Sequence, residues 1–374
     1  MSPRIHVAVV SNTLSDGGAE RFASTLVNGL DRGRFCPSLF LLRDEVRYPL
    51  AEDVAVTALD HHRSIDTPRT IRRLRQAIEE AAPDVVLSAV DYASQFAGQA
   101  IQGCRRQPRW VARLGTNPQH TYSGWRGTLG RLWQDFVYRH ADWFVANSAG
   151  LAESFRLARP AFADRVSTIG NPVDLHRIVQ DAQMDPPHGP GTRPVIVSVG
   201  RLHRLKRYDV MLAAFQRVLA ALDAELWLIG DGPERGTVER MIGQLGLADR
   251  VRLLGFQPNP HRLTRQASVF VMTSDSEGLP NALQEAQALG IPAVAVDCPF
   301  GPGEIIAHQQ TGLLVEPGDP TQVADALLQI LQDKQLHQRM SEAAPRRIQQ
   351  LYATNVILQQ WESLFARLAA NSAA

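Results

Sequence analysis

Short β-branched runs recur along the chain, each closed by a glycine or polar turn and followed by ten or more residues of helical period. Runs that are apolar without alternation belong to strands buried on both faces, and strands separated by helices pair in parallel. The expected class is therefore α/β, with right-handed crossovers that bring every loop after a strand to the same edge of its sheet. One segment interrupts the pattern. Met184–Pro194 holds four prolines and two glycines in eleven residues, which suits neither a helix nor a central strand. Read as a linker, residues 184–194 separate a first domain at 1–183 from a second at 195–355. The tail at 356–374 is then a helix that either closes the second domain or crosses back to the first. A length of 374 residues also exceeds what one hydrophobic core ordinarily serves.

In the first domain the strands are expected at Ile5–Val10, Ser38–Leu42, Val85–Ser88, Trp110–Arg113, Trp143–Ala146 and Val166–Ile169. In the second they are expected at Val195–Val199, Glu225–Ile229, Arg250–Leu253, Val269–Met272, Ala293–Val296 and Leu313–Val315, with a helix at Tyr208–Leu222 after the first of these. Two doubly wound, Rossmann-like sheets follow, with a ligand expected at the carboxyl ends of the strands in a cleft between the domains. Three cysteines, Cys36, Cys104 and Cys298, stand apart without CxxC spacing, which argues against a disulfide framework or a thiolate zinc site. No apolar run approaches the roughly 20 residues of a membrane-spanning helix. A cytoplasmic protein is expected. A net charge of +1 gives no support to nucleic-acid binding.

Three turns carry chemistry. Gly17 and Gly18 follow the first strand and open the helix Ala19–Leu30, where paired glycines allow close backbone approach to an anion. The spacing lacks the full GxGxxG, so no dinucleotide fingerprint is present. After the strand Val195–Val199 come Gly200, Arg201 and Lys206. Lys206 is one of only two lysines in the chain, the other being Lys334, so a compact ammonium at this turn is a specific choice. After Val269–Met272 come Glu277, Gly278, Leu279, Pro280 and Asn281. Pro280 suits the first turn of a helix Asn281–Leu289 that also carries Glu285. Two carboxylates there can accept hydrogen bonds from hydroxyls, and a helix start offers amides to a phosphate. The nearby Asp275 and Glu277 form an Asp-x-Glu that could mimic a metal-binding pair, but Arg201 and Lys206 already supply positive charge. No metal or other cofactor is expected.

The stretches VGRLHRLKRYD, LIGDGPE, VRLLGF, SEGLPNALQEAQALGIPAVAVDCPFGPGEII and TGLLVEPGD together resemble the donor domain of glycosyltransferase family four, retaining enzymes of the GT-B fold. SDGGAER and the stretch Ala146–Asp174 resemble the first domain of bacterial members that assemble polysaccharides and lipid-linked glycans. The resemblance implies that a nucleoside-diphosphate sugar, with a uridine diphosphate sugar as first choice, is the donor substrate. It further implies that Arg201 and Lys206 grip the donor diphosphate, that Glu277 meets the hydroxyls of the transferred sugar, and that Glu285 holds the ribose. Gly278, Leu279, Pro280 and Asn281 would line sugar and phosphates, Gly255 and Phe256 would contact the base, and Gly17 and Gly18 would close over a phosphate. The acceptor would be a saccharide or lipid-linked glycan, and the sugar moved a hexosyl or N-acetylhexosaminyl group.

The family often carries a histidine after the strand that corresponds to Trp110–Arg113. This chain has Thr116 and Asn117 there, and His120 a little further on. Two alternatives share the fold: a nucleotide-sugar epimerase and a non-catalytic nucleotide-sugar-binding subunit. The intact set Arg201, Lys206, Glu277 and Glu285 argues against the latter. Thr67–Ile78 together with Trp125–His140 could form a basic-aromatic face, which makes an anionic membrane surface a candidate partner and the inner face of the membrane a candidate location.

Overall fold

The computed structural model describes residues 4–15, 17–115, 124–185 and 191–371. The chain divides into two units, one formed by Met1–Pro172 with Thr354–Ala374 and the other by Val173–Ala353. The division thus falls at Pro172/Val173 instead of in the expected linker 184–194, of which residues 186–190 lie outside the described residues. Residues 175–183, placed in the first domain by the sequence, form the helix Leu175–Gln183 and belong to the second unit. The reason is local. His261 bonds to Asp181, Asn259 to the carbonyl of Asp181 and Arg265 to that of Ala182, so the helix is fastened to the second unit just before the proline-rich stretch.

Unit one is built on seven strands, β1 (Ile5–Ser11), β2 (Phe35–Leu41), β3 (Ala55–Ala58), β4 (Val85–Ser88), β5 (Arg109–Leu114), β6 (Trp143–Ala146) and β7 (Val166–Thr168). They lie in the order β3-β2-β1-β4-β5-β6-β7, all parallel. Strand β3 is the one that sequence reading missed. It is a short edge strand whose side chains face solvent, so it lacks the apolar run that marks the others. Strand β2 starts three residues earlier than expected, running through Pro37. Its partner β3 reaches only from Ser38 onward, so at Pro37 β2 has a neighbour on one side alone, the edge situation that tolerates proline.

Unit two holds β8 (Val195–Val199), β9 (Glu225–Ile229), β10 (Val251–Gly255), β11 (Val269–Met272), β12 (Ala293–Val296) and β13 (Gly312–Val315), in the order β10-β9-β8-β11-β12-β13 and again all parallel. Helices cover the sheet, and Leu212, Phe215, Leu226, Val271, Ile330 and Met340 are among the side chains sealed in its core. In each sheet the strand order reverses once, between β1 and β4 and between β8 and β11. At such a reversal the loops leaving two adjacent strands run in opposite directions and leave a crevice at the carboxyl edge, the place where open α/β sheets bind ligands. The loops after β8 and β11 are the two that carry the charged residues singled out in the sequence.

Candidate functional site

Beyond its last residue, β8 keeps following its neighbour. The amide of Gly200 donates to Ile229 O at 2.9 Å and that of Leu202 to Asp231 O at 2.9 Å. This approach requires glycine at position 230, where φ is +138° and an added Cβ would lie 2.0 Å from the Gly200 carbonyl oxygen. The LIGDGPE stretch therefore makes room for the Arg201 loop. Leu202 is fully buried and anchors that loop, while Arg201 beside it is exposed and makes no ion pair with a described residue.

The chain then forms a single tight turn, Arg204–Lys206, and passes through Arg207 in the left-handed region (φ 50°) before the helix Tyr208–Leu219. That conformation is unfavourable for a side chain with a Cβ, and ion pairs hold it: Arg207 reaches Asp209 at 2.9 Å and Asp275 at 2.9 Å. The hydroxyl of Thr273 donates to the carbonyls of Lys206 (2.8 Å) and Arg207 (3.1 Å), and the amide of Asp275 donates to Leu205 O at 2.9 Å. The loops after β8 and β11 are thus tied to each other across the point where the strand order reverses.

Their charged side chains meet there. Lys206 Nζ donates to Glu277 Oε1 at 2.6 Å, with 26% of the lysine and 13% of the glutamate side chain exposed. An ammonium has three N–H donors, so the pairing leaves donors for a further anion. Glu277 also acts on its neighbours. Burial and then its negative charge push the Cys298 thiol up to about 12 and the Tyr208 phenol up as well. Behind the turn, Gly301 adopts φ +92°, and an added Cβ would meet the Gly278 carbonyl oxygen at 2.6 Å. CPFGPGEII is therefore the seat of the SEGLPN turn. From that turn the helix Asn281–Ala288 departs, with Pro280 before its first residue and Leu279 and Pro280 buried.

Glu285 lies on this helix, buried, with Oε2 at 3.1 Å from His261 Nε2. The other nitrogen of the same ring, Nδ1, lies 3.3 Å from Asp181 Oδ2. His261 and Asp181 were not singled out in the sequence. A lone histidine after PNP carries no signal of its own, and its partners are 24 and 80 residues away. Gly255 (φ +66°) ends β10, its carbonyl accepting from Gly230 N at 2.8 Å, and Phe256 next to it is 66% exposed. Unit two thus brings Gly200, Lys206, Glu277, Gly278, Leu279, Pro280 and Asn281 onto two mutually bonded loops, with Arg201 on the first, and places Gly255 and Phe256 on the loop that leads to His261.

In unit one, Gly17 (φ +124°) precedes and Gly18 begins the helix Gly18–Gly29, both exposed, at the carboxyl end of β1. The phenol of Tyr48 donates to Gly17 O at 3.3 Å. Thr116, Asn117 and His120 lie outside the described residues. At the end of β5, Arg113 is sealed inside, donating to Ala89 O (3.0 Å) and Asn171 Oδ1 (2.7 Å), with its guanidinium 4.1 Å from the Phe22 ring centre. Burial brings its ionisation down to about 10. As for a metal, Asp275 and Glu277 are each matched to a cation, Arg207 and Lys206. Among the described residues no group of three or more His, Cys, Asp or Glu is arranged to hold one.

Two family models match the chain in succession: residues 16–177 match "Glycosyltransferase Family 4" and residues 179–347 match "Glycosyl transferases group 1". A lipopolysaccharide core biosynthesis glycosyltransferase, LpsD of Rhizobium meliloti, is 28% identical over 94% of this chain and 96% of its own length. The N-acetyl-alpha-D-glucosaminyl L-malate synthase of Bacillus anthracis is 33% identical over 46% of this chain, a match that spans 45% of that relative. Among solved structures, that of Anabaena Alr3699/HepE in complex with UDP superposes with a TM-score of 0.81 at 20% identity, covering 98% of this chain and all (100%) of that one.

Proposed function

The chain belongs to the family four glycosyltransferases of the GT-B fold, and from that premise we propose that it moves a hexosyl or N-acetylhexosaminyl group from a uridine diphosphate sugar to a saccharide or lipid-linked glycan, with retention of anomeric configuration. The observation that carries this reading is the Lys206–Glu277 pair at 2.6 Å, seated where the strand order of the second sheet reverses. Departure of the nucleoside diphosphate develops negative charge on its phosphates. Lys206 and Arg201 stabilise that charge, and the amides at the start of the helix Asn281–Ala288 add to it. Glu277, already partnered by Lys206, accepts hydrogen bonds from the hydroxyls of the transferred sugar. The leaving phosphate takes the acceptor's proton, so no strong protein base is needed. The cations make a metal unnecessary in this scheme, and activity in excess chelator is the expected result. HepE, solved with UDP and with UDP and glucose, supports the choice of base.

The test is a thermal-shift screen of uridine, guanosine and adenosine diphosphates and their sugar conjugates, followed by nuclear magnetic resonance of the product's anomeric centre. Stabilisation by one uridine diphosphate sugar and a product of the same anomeric configuration are expected. No stabilisation by any nucleotide, or an inverted product, would overturn the reading.

We also infer contact with anionic lipid. On the helix Gly124–Tyr138, Leu132, Trp133 and Phe136 are exposed, the two aromatic rings stack at 5.6 Å, and the Arg139 guanidinium sits 3.8 Å from the Phe136 ring centre. Apolar rings beside arginine suit the boundary of an anionic bilayer. Sedimentation with anionic vesicles at low salt checks this, and failure to co-sediment would refute it.

A further inference from the structure

We propose that His261 is a positioning residue for the donor site: it fixes the carboxylate of Glu285 in the orientation in which that group receives the ribose hydroxyls. This rests on the donor-site reading given above and goes beyond it in naming the residue that aims the ribose-binding carboxylate.

Glu285 is 7% exposed, and a carboxylate so far from water is held by hydrogen bonds. His261, itself 6% exposed, supplies one from Nε2 at 3.1 Å. A carboxylate has two oxygens. Engaging Oε2 from one side sets the plane of the group and hence the direction in which Oε1 faces. The ring must be fixed for this to work, and it is held at two further points. Asp181 Oδ2 lies 3.3 Å from Nδ1, and the backbone amide of His261 donates to Asn259 Oδ1 at 3.1 Å. Asn259 is in turn anchored through its own amide nitrogen, which donates to the carbonyl of Asp181 at 2.8 Å. Asn259 and Asp181 thus form a two-point clamp on both the backbone and the ring of His261. Asn259 and His261 follow on the loop that begins at Gly255 and Phe256, the residues assigned to the base, while Asp181 comes from the helix Leu175–Gln183. One loop therefore carries the base contact and the residue that orients the ribose contact, so a uridine seated on Phe256 meets a carboxylate already aimed.

A histidine that merely fills the core would lower stability when removed and weaken every nucleotide alike. A positioning role differs, because its effect passes through the ribose hydroxyls. The experiment is calorimetric titration of the full chain with UDP and with 2′,3′-dideoxy-UDP, in the wild type and in the variants His261→Leu, His261→Gln and Glu285→Ala. The leucine variant is expected to bind UDP about tenfold more weakly, the size of one charge-assisted hydrogen bond, and to bind the dideoxy analogue as the wild type does. Glutamine can present an N–H to Glu285 from nearly the same point and is expected to recover most of the UDP affinity. Equal losses for UDP and the analogue in the leucine variant, or no recovery with glutamine, would overturn the proposal. If Glu285→Ala weakens UDP and His261→Leu does not, the positioning role alone falls. If the wild type binds UDP and Glu285→Ala leaves that binding unchanged, the ribose assignment of Glu285 falls and takes the proposal with it. A wild type that binds no UDP overturns the donor reading itself.

Discussion

Lys206 occupies a position that arginine, used 37 times against two lysines, does not fill. Its stem passes over Gly200, where an added Cβ would lie 3.5 Å from Lys206 Cε, and its ammonium reaches Glu277 at 2.6 Å. A rotating ammonium can keep Glu277 and still direct its other protons at a diphosphate, whereas a planar guanidinium has a fixed fork and greater bulk. Lys206→Ala is therefore expected to lower kcat about a hundredfold, the usual loss when one preorganised donor to developing charge is removed. Lys206→Arg should restore little of it, and both variants should melt close to the wild type. An arginine variant with wild-type kcat would show that charge alone suffices. Arg201, Lys206 and Glu277 stood out in the sequence because each sits at a turn after an apolar run, where a structural role is hard to assign. Their partnerships were not legible. Arg207 finds Asp275 across 68 residues and Glu285 finds His261 across 24, and only the parallel sheet brings those loops to one edge.

At the level of strands and helices, burial decided what could be read. Twelve strands stood out as apolar runs, and the thirteenth, Ala55–Ala58, did not, since its side chains face solvent at the sheet edge. Helix ends moved by one to three residues: Tyr208–Leu219 stops before the expected Leu222, and Asn281–Ala288 one residue before Leu289. Glycines were visible in the sequence, but their reasons were not. Gly230 combines φ +138° with a neighbouring carbonyl oxygen 2.0 Å from where a Cβ would stand, whereas Gly236, inside the helix Arg235–Gln244, has open space around it. Alanine should therefore act with opposite sign at the two positions. Gly230→Ala is expected to destabilise unit two by about 3 kcal/mol or more, because backbone strain adds to a clash with main chain that cannot move aside. Gly236→Ala should stabilise it by roughly 0.5–1 kcal/mol through helix propensity and lower unfolded-chain entropy. Urea unfolding followed by circular dichroism measures both, and equal effects at the two sites would contradict this account of the turn after β9.

Taken as a whole, the chain folds one of its units from two separated pieces. The proline-rich segment drew attention to residues 184–194, yet the units divide at Pro172/Val173 and again at Ala353/Thr354, where no composition change marks the step. What marks it is packing. On the helix Thr354–Ala370, Trp361 and Phe365 are fully buried, with Trp361 at 5.4 Å from the Phe22 ring and Phe365 at 6.5 Å from Phe35. Ile357, Leu364 and Leu368 are buried on the same helix, and Glu362 accepts from the amide of Asp31 at 2.9 Å. Each large apolar side chain sealed in this way contributes about 1.5–3 kcal/mol. Five of them are comparable in size to the roughly 5–15 kcal/mol by which a whole domain is stable. Unit one is therefore expected to lose its fold without the last helix, although all seven of its described strands lie before Val173, where unit two begins. Unit two is continuous, and the six strands of its sheet among the described residues all lie within it. Ending the chain at Ala353 is therefore expected to leave residues 173–353 folded and able to bind the nucleotide, while residues 1–172 become susceptible to protease. Limited proteolysis with mass spectrometry reads this directly: a resistant fragment bounded near Val173 and Ala353 is the expected product. A truncated chain as resistant throughout as the full-length one would show that the helix is an accessory to unit one and not part of its core.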